Sequence, residues 1–583
     1  MAKKLTVILM ALIISVCSMS ACTSQGSDDT SSVQTSSPAE ASSAVQTASP
    51  EASLAEAETN EMFAEGDTRS VESEDPNAVI TLSGDTGTLS DTTRGTSGSE
   101  VTITSKGIYE VTGTSKNVTI IVDDEKKSGN IYLVLNGVSM TNSEMPCIYV
   151  KNSEKVIIVC KSDDNTLTYT NTDSSNGLDG AVYGEDDITV QGSGKLNVTS
   201  SLHGIVCEND LKLTGAALDI TADSIGIKAD DSVRIGETAA VNITAGHDGI
   251  QVENDEGDSF LYMDNGVVSV NAEYDGIDVK GSSEADFTGY IKLIGGTLDI
   301  TSGGGSDNSK DSETSQKGIK CDGDIITGDI MLNVSSADDA VNSNGSVTVD
   351  GGTVDLSSSD DGITTAGTLT INSGILNVSK SYEALEAAEV TINDGTVSVT
   401  STDDGINAGG GSDSSSDEKA PGSESNSGLI TINGGNVYVD ASGDGIDSNG
   451  SIVINGGTVI VEGPTDNGNG AIDKGDGADC KAEINGGTVL AIGSSGMAIN
   501  FDSGTQCSAL VSLSGSAGNE ITVSGTDFSF TASKSFECVV FSSPELKQGE
   551  KYTISAGGSN SEIELTSLYY SDVQSFGGKP GGR

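Results

Sequence analysis

Ser346-Val347-Thr348-Val349-Asp350-Gly351-Gly352-Thr353-Val354-Asp355-Leu356-Ser357-Ser358-Ser359-Asp360-Asp361-Gly362-Ile363-Thr364-Thr365-Ala366-Gly367 is one unit of a pattern that runs through much of the chain. Its aliphatics come as Val347 and Val349, then Val354 and Leu356, then Ile363 alone, with Asp350-Gly351-Gly352 and Ser357 to Asp361 between the groups. Alternation of this kind, broken by Gly, Asp and Ser clusters, predicts three short strands joined by turns. The same scheme fits Ile291 to Ile300, Thr368 to Val378, Val390 to Val399, Ile430 to Val439, Ile452 to Val461 and Glu483 to Ala491.

Outward from this unit, a phrase of an acid, a small residue and an aliphatic recurs. It reads Asp248-Gly249-Ile250, Asp275-Gly276-Ile277, Asp339-Ala340-Val341, Asp361-Gly362-Ile363, Glu383-Ala384-Leu385, Asp404-Gly405-Ile406 and Asp444-Gly445-Ile446. From Val341 the aliphatic returns at Ile363, Leu385 and Ile406, steps of 22, 22 and 21 residues. A fixed period in this range predicts a solenoid whose units bury their apolar edges only by stacking on one another. No segment of helical length carries a 3.6-residue stripe, so the expected fold is all-β, a parallel β-helix with no intervening helices. Outward Thr348, Thr370, Thr391 and Thr431 form one column that supports the register. Turn residues Asn372, Asn393, Asn433, Asn455 and Asn485 form another.

The remaining segments divide the chain. Residues 1–22 read as a bacterial lipoprotein signal: Lys3 and Lys4, an apolar run from Leu5 to Val16, then Met19-Ser20-Ala21 before Cys22, the expected lipidated residue. The run is too short to span a bilayer. An ordinary secretory signal cut near Ala21 is the alternative, and either way the expected location is outside the cytosol, on the extracellular face of the membrane if lipid-anchored. Residues 23–76, poor in aliphatics, are expected as a disordered tether. Residues 77–130 are expected as an N-terminal β cap, 131–503 as the β-helix, 504–570 as a C-terminal β cap against edge-to-edge growth and 571–583 as a frayed tail. Two low-complexity insertions, Gly303 to Gln316 and Gly409 to Gly428, read as loops leaving the repeats, either passive or lids over a groove. Of nine cysteines, Cys17 and Cys22 lie in the signal; the others have no metal-type spacing, and only a Cys507–Cys538 bridge is considered.

The formal charge of −58 argues against nucleic acid and anionic lipid as partners. It also poses a problem. Carboxylates stacked about 4.8 Å apart repel by roughly 1 kcal/mol in water and about 3–4 kcal/mol at an effective dielectric of 20. Lys317 is the one lysine in the acidic column, whereas calcium, with six to eight oxygen ligands, fits between carboxylates of adjacent repeats. The position after the aliphatic adds oxygens at Asp278, Asn342, Glu386, Asn407, Asp447, Asp473 and Asn500. The expectation is several calcium sites along one edge; the alternative is a solvated acidic face whose Asp-Gly pairs only make turns.

The blocks Ile103-Thr104-Ser105-Lys106-Gly107-Ile108-Tyr109 and Ile131-Tyr132-Leu133-Val134-Leu135-Asn136-Gly137-Val138, the Asp-Gly-Ile phrases, and Leu546-Lys547-Gln548-Gly549-Glu550-Lys551-Tyr552-Thr553 carry a family likeness. From Asn77 to Leu565 the chain resembles bacterial carbohydrate-binding parallel β-helix proteins that bind cellulose and pectic acid. The resemblance implies a right-handed parallel β-helix with bound calcium, pectate-lyase-like in fold and non-catalytic, with ligand roles on Asp248, Asp275, Asp339, Asp361, Asp404 and Asp444. His203, Ile225, Lys317 and Gly470 depart from the acid at their positions. The whole expected metal set is Asp248, Asp275, Asp278, Asp339, Asp361, Glu383, Asp404, Asp444, Asp447 and Asp473.

Three functions compete. A monomeric binding module would bridge protein carboxylates to those of a uronate polymer through calcium, with cellulose as a further partner and the membrane reached only through the lipid. There is no Trp; the outward stripe Tyr438, Ile460 and Leu490 offers either a sugar contact, at Tyr438, or packing for the C-terminal segment. A polysaccharide lyase would need a base, for which Lys280, Lys320, Lys474 and Arg234 are candidates without a distinctive cluster. A surface adhesin or scaffold is the third. His203 and His247 make no metal-binding spacing.

Overall fold

The computed structural model describes residues 62–254, 257, 259–282, 289–409 and 428–573. Their regular structure is almost all strand, in one 47-stranded, mostly parallel sheet and one four-stranded antiparallel sheet. Within the repeats each strand pairs in parallel with its equivalents in the preceding and following repeat, so the sheet contains three ladders.

The aliphatic of the recurring phrase opens the strands of the first ladder. Ile205, Ile227, Ile250, Ile277, Ile319, Val341, Ile363, Leu385, Ile406, Ile446 and Ile472 stand opposite one another in unbroken register. In the second ladder Val347 pairs with Leu369, then Val390, Ile430 and Ile452. In the third, Val354 pairs with Leu376, then Val397, Val437, Val459 and Val489. All these side chains are buried in one continuous cluster. A one-residue slip would expose a whole column, which is why the alternation specifies register so firmly.

The outward columns hold the same register. Thr348, Thr370, Thr391 and Thr431 are neighbours. At the turn between second and third ladders, Asn393 donates to Asn372 at 2.7 Å, Asn433 to Asn393 and Asn455 to Asn433 at 2.8 Å, and Asn485 to Asn455 at 3.0 Å. The glycines after these asparagines, such as Gly435 and Gly457, have φ of 78° and 81°, a conformation that needs no Cβ.

The glycines of Asp-Gly-Ile serve a different purpose. Gly405 and Gly445 are not in the left-handed region; a Cβ there would lie 2.2 Å from Val439 Cγ1 and Val461 Cγ1. A small residue is needed because the third ladder packs against this backbone, so the glycine of the phrase is a packing signal.

The front end departs from expectation in detail, and the far end follows it. Residues 77–130 were expected as a separate cap, yet Ala78–Gly84 already pairs in parallel with Gly107–Lys116, and that strand with Ile131–Asn142. The acid-small-aliphatic phrase is missing there, but the alternation that drives pairing is not. At the other end Phe536–Ser542 runs antiparallel to Thr488–Gly493 and covers the last strand of the third ladder. The antiparallel sheet follows, formed by Glu520–Val523, Ser529–Thr531, Lys551–Ala556 and Ser559–Glu564. Cys507 and Cys538 are both free and buried, so the considered bridge is not made. Burial pushes the Cys538 thiol up to about 12, which keeps it protonated and inert.

The expected tether ends earlier than Pro76. Residues 62–76 lie along the outer face of the second ladder. Asp67, at the end of a short helical turn Glu65–Thr68, is fully buried and accepts hydrogen bonds from Lys155 Nζ and Thr189 Oγ1, both at 2.7 Å, with Lys212 Nζ at 4.0 Å. Although burial opposes ionisation, the bonds from Lys155 and Thr189 and the two lysine charges hold its carboxyl below the usual range. Val71 packs with Ile108, Tyr132, Val134, Ile157 and Val159. Ser193 also donates to Glu72, and Gln191 to the Arg69 carbonyl; these partners come from distant strands, which local composition does not reveal. Asp67→Ala should destabilise the protein by roughly 3 kcal/mol by leaving buried lysines short of a counter-charge. Limited proteolysis should then cut before Ala78, and unchanged protease resistance would show that Asp67 does not hold the segment.

Candidate metal centre

The acidic residue of the phrase sits at the turn entering the first ladder, where one carboxylate oxygen clamps the next repeat. Asp248 Oδ1 accepts the amide of Asp275 at 3.1 Å, and Asp275 Oδ1 that of Lys317 at 2.8 Å. Asp339 Oδ1 accepts from Asp361 at 3.2 Å, Asp361 Oδ1 from Glu383 at 2.9 Å, and Asp404 Oδ1 from Asp444 at 2.6 Å. Asp444 Oδ1 accepts from Gly470 at 2.5 Å. The repetition therefore has a structural cause, and the other oxygen of each group faces its neighbours.

How those charges are compensated divides the column in two. In the earlier part, basic side chains approach the acids, although burial still raises the carboxyls of Asp248, Asp275 and Asp278. His247 lies 3.2 Å from Asp248, and Lys320 lies 3.6 Å from Asp275 and 3.7 Å from Asp278. Lys280 reaches Asp278 at 3.4 Å. Lys317 approaches Asp339 at 2.5 Å and Asp338 at 3.3 Å, while Lys310, from the Gly303 to Gln316 insertion, reaches Asp338 at 2.9 Å and Asp360 at 2.6 Å. Lys317 is thus not the one lysine at this edge: Lys280, Lys310 and Lys320 reach it from other positions. Asp338, against its burial, is held below the usual carboxylate range by Lys317 and Lys310.

From Asp361 onward, among the described residues, no lysine or arginine lies within ion-pair distance of Asp361, Glu383, Asp404, Asp444 or Asp447. Burial first, then the charges of Asp339 and Asp360, push Asp361 up to about 9. Burial likewise raises Glu383 to about 8, Asp404 to about 6, and Asp444 and Asp447 to about 7, with neighbouring carboxylates adding to each. Burial also raises Asp473, beside Asp447 in the register. Asp404, Asp444 and Asp447 bring carboxylate oxygens within 4.8 Å of one another. Next to Asp447 on the adjacent strand, the buried Asn407 Oδ1 has no hydrogen-bond partner among the described residues. An all-oxygen, electron-rich set with an orphaned amide oxygen fits a hard divalent cation such as calcium.

One of the expected oxygen donors and the candidate sugar contact are used elsewhere. Asn500 donates to Tyr570 O at 2.7 Å and accepts from Ser508, so it fastens the C-terminal segment. Tyr438, the candidate sugar contact, donates to Glu462 at 2.7 Å and packs near Phe530, while Leu490 is buried opposite Phe541. That stripe is covered by the C-terminal strands and is not a sugar platform. Conversely, Asp338 and Asp360 complete a second carboxylate trio with Asp339. The doublets Asp338-Asp339 and Asp360-Asp361 were the available signal. The signal segment with Cys22 and residues 410–427 of the second insertion lie outside the described residues.

A family model for carbohydrate-binding domain-containing proteins matches residues 97–362 and 357–535. A carbohydrate-binding domain-containing protein of Acetivibrio thermocellus is 39% identical over 130 residues, 21% of this chain and 45% of that relative. The chain thus spans under half of that relative's length. A solved structure of a polysaccharide lyase-like protein from C. thermocellum, as a gadolinium derivative, is similar at 30% identity over 44% of this chain and 100% of that one, with a TM-score of 0.34.

Proposed function

The chain belongs to the family of carbohydrate-binding domain-containing proteins, and from that premise we propose that it is a non-catalytic, calcium-dependent binder of acidic plant polysaccharide, polygalacturonate or pectin, with cellulose as a second glycan. In this reading the three ladders wind as a right-handed parallel β-helix, and lipid on Cys22 holds it at the extracellular face of the membrane. The observation that carries the proposal is the trio Asp404, Asp444 and Asp447, which among the described residues has no lysine or arginine within ion-pair distance. Calcium there would be held by these carboxylates with Asn407 Oδ1 and Asp473 nearby, and would supply positive charge to a uronate carboxylate. Without such a bridge, a chain of net charge −58 repels a polyanion.

Non-catalysis is supported by the state of the candidate bases. Lys280 and Lys320 are ion-paired, Arg234 is held by Asp210 and lies over Phe260, and Lys474 is 3.7 Å from Asp502. At Lys280, Asp278 and Glu253 outweigh burial and favour the protonated form, which cannot abstract a proton. The test is a pull-down on polygalacturonate with calcium or chelator, while ultraviolet absorbance monitors unsaturated products. Retention should need calcium and absorbance should stay flat. Retention in chelator would refute bridging, and rising absorbance would make the protein a lyase.

A further inference from the structure

The third ladder carries an open groove of about 500 Å³ across its outward face, away from the acidic column. Its floor is the outward row Ser269, Asp299, Asn333, Asp355, which continues in register to Asn377, Ser398, Tyr438, Ile460 and Leu490. The chain treats the two ends of this row differently. From Tyr438 onward, where the row turns apolar, the C-terminal strands cover it; between Ser269 and Asp355, where it is polar, the face is open.

One side of the groove is walled by the first insertion. Ser306 donates its amide to Ser335 Oγ at 3.0 Å and lies 2.7 Å from Ser357 Oγ, while Lys380 at the rim donates to the Ser306 carbonyl. Outside the lining itself, two residues before the outward row on the same strands, lies an exposed apolar edge. Val267, Met331 and Ile375 are 54%, 51% and 47% exposed and share one column, separated by Thr297 and Thr353. A line of large aliphatics held in water beside a line of hydrogen-bonding side chains is unfavourable unless something covers it.

From the polar floor and the apolar edge beside it we infer that this groove is a second glycan site, taking a neutral, extended polysaccharide independently of calcium. The inference rests on the reading of the protein as a glycan binder and assigns its neutral ligand a place. An extended pyranose chain presents C–H faces to an apolar edge and hydroxyls to a polar floor, and the floor offers both donors and acceptors. Asn333 spends one amide hydrogen on Asp299 at 2.6 Å, and the carboxylates of Asp299 and Asp355 retain further lone pairs. Charge selects against the acidic polymer: the floor holds two carboxylates and no lysine or arginine, so a uronate would meet repulsion there.

Cellohexaose and xylohexaose, titrated calorimetrically into the whole protein in chelator, test this. At least one should bind, and Asn333→Arg, which places a long side chain along the floor, should weaken it at least tenfold. Ser357→Arg, at the wall, should do the same, and circular dichroism should certify that each variant folds. Calcium-dependent retention on polygalacturonate should be unaffected by either variant, so its failure would count against the metal reading alone. The groove assignment is overturned if neither oligosaccharide binds, if binding requires calcium, or if both folded variants bind as the parent does.

Discussion

In calcium-free buffer the protein should become more stable as the pH is lowered from about 9 to about 5, and calcium should flatten or reverse that slope. Asp361, Glu383, Asp404, Asp444 and Asp447 have folded-state values of about 9, 8, 6, 7 and 7, against roughly 4 for unfolded carboxyls. The folded state therefore binds more protons throughout this window, and stability must fall as pH rises. The contribution is fully present below about pH 4 and is lost as pH passes through the raised values. Below about pH 4 the depressed carboxyls Asp67 and Asp338 work in the opposite sense. Calcium binds the deprotonated forms, so its stabilisation should be largest at the alkaline end. Melting temperatures at several pH values, with and without calcium, would decide it. Curves insensitive to both would leave this edge a solvated acidic face.

Two substitutions of the same chemical kind should act with opposite sign. Asp444→Asn keeps an oxygen to accept the Gly470 amide but removes one charge from the trio with Asp404 and Asp447. Without calcium at pH 8 it should stabilise by on the order of 2 kcal/mol, since one repulsion of about 3–4 kcal/mol per neighbour is relieved in part. With calcium it should weaken ion binding at least tenfold and become destabilising. Asp339→Asn also keeps its clamp, on the Asp361 amide, but removes the closer carboxylate from buried Lys317. It should destabilise by about 2 kcal/mol in either buffer, Asp338 remaining as a partial counter-charge. If both variants respond alike to calcium, the division of the column is wrong.

The contrast between Asp339 and Asp444 marks what local sequence could and could not convey. The alternation of Val347, Val349, Val354, Leu356 and Ile363, with its repeat length, was enough to predict the parallel ladders and the facing of each aliphatic, because a period of two has one buried solution. The asparagine and threonine columns followed from the same period. That the acids stack was equally legible, since residues equivalent in the repeat become neighbours when the strands pair.

What compensates each acid was legible only in part. Lys320 stands directly opposite Asp278 in the register and Lys280 two residues along its strand, so those approaches follow from the period, whereas Lys310 reaches Asp338 and Asp360 from an insertion that the repeat does not place. The glycine of Asp-Gly-Ile looked like a turn former and proved to be a clearance for Val439 and Val461 from another strand. Asp67 looked like part of a polar tether until Lys155 and Lys212 were brought beneath it. Tyr438, Ile460 and Leu490 could have met either a sugar or the C-terminal segment, and the packing of the C-terminal strands against them decided it. Periodicity determines which residues are equivalent, and so the ladders could be read in advance. Charge pairing and coverage depend on approaches between segments far apart in the chain, and only the tertiary structure decided them.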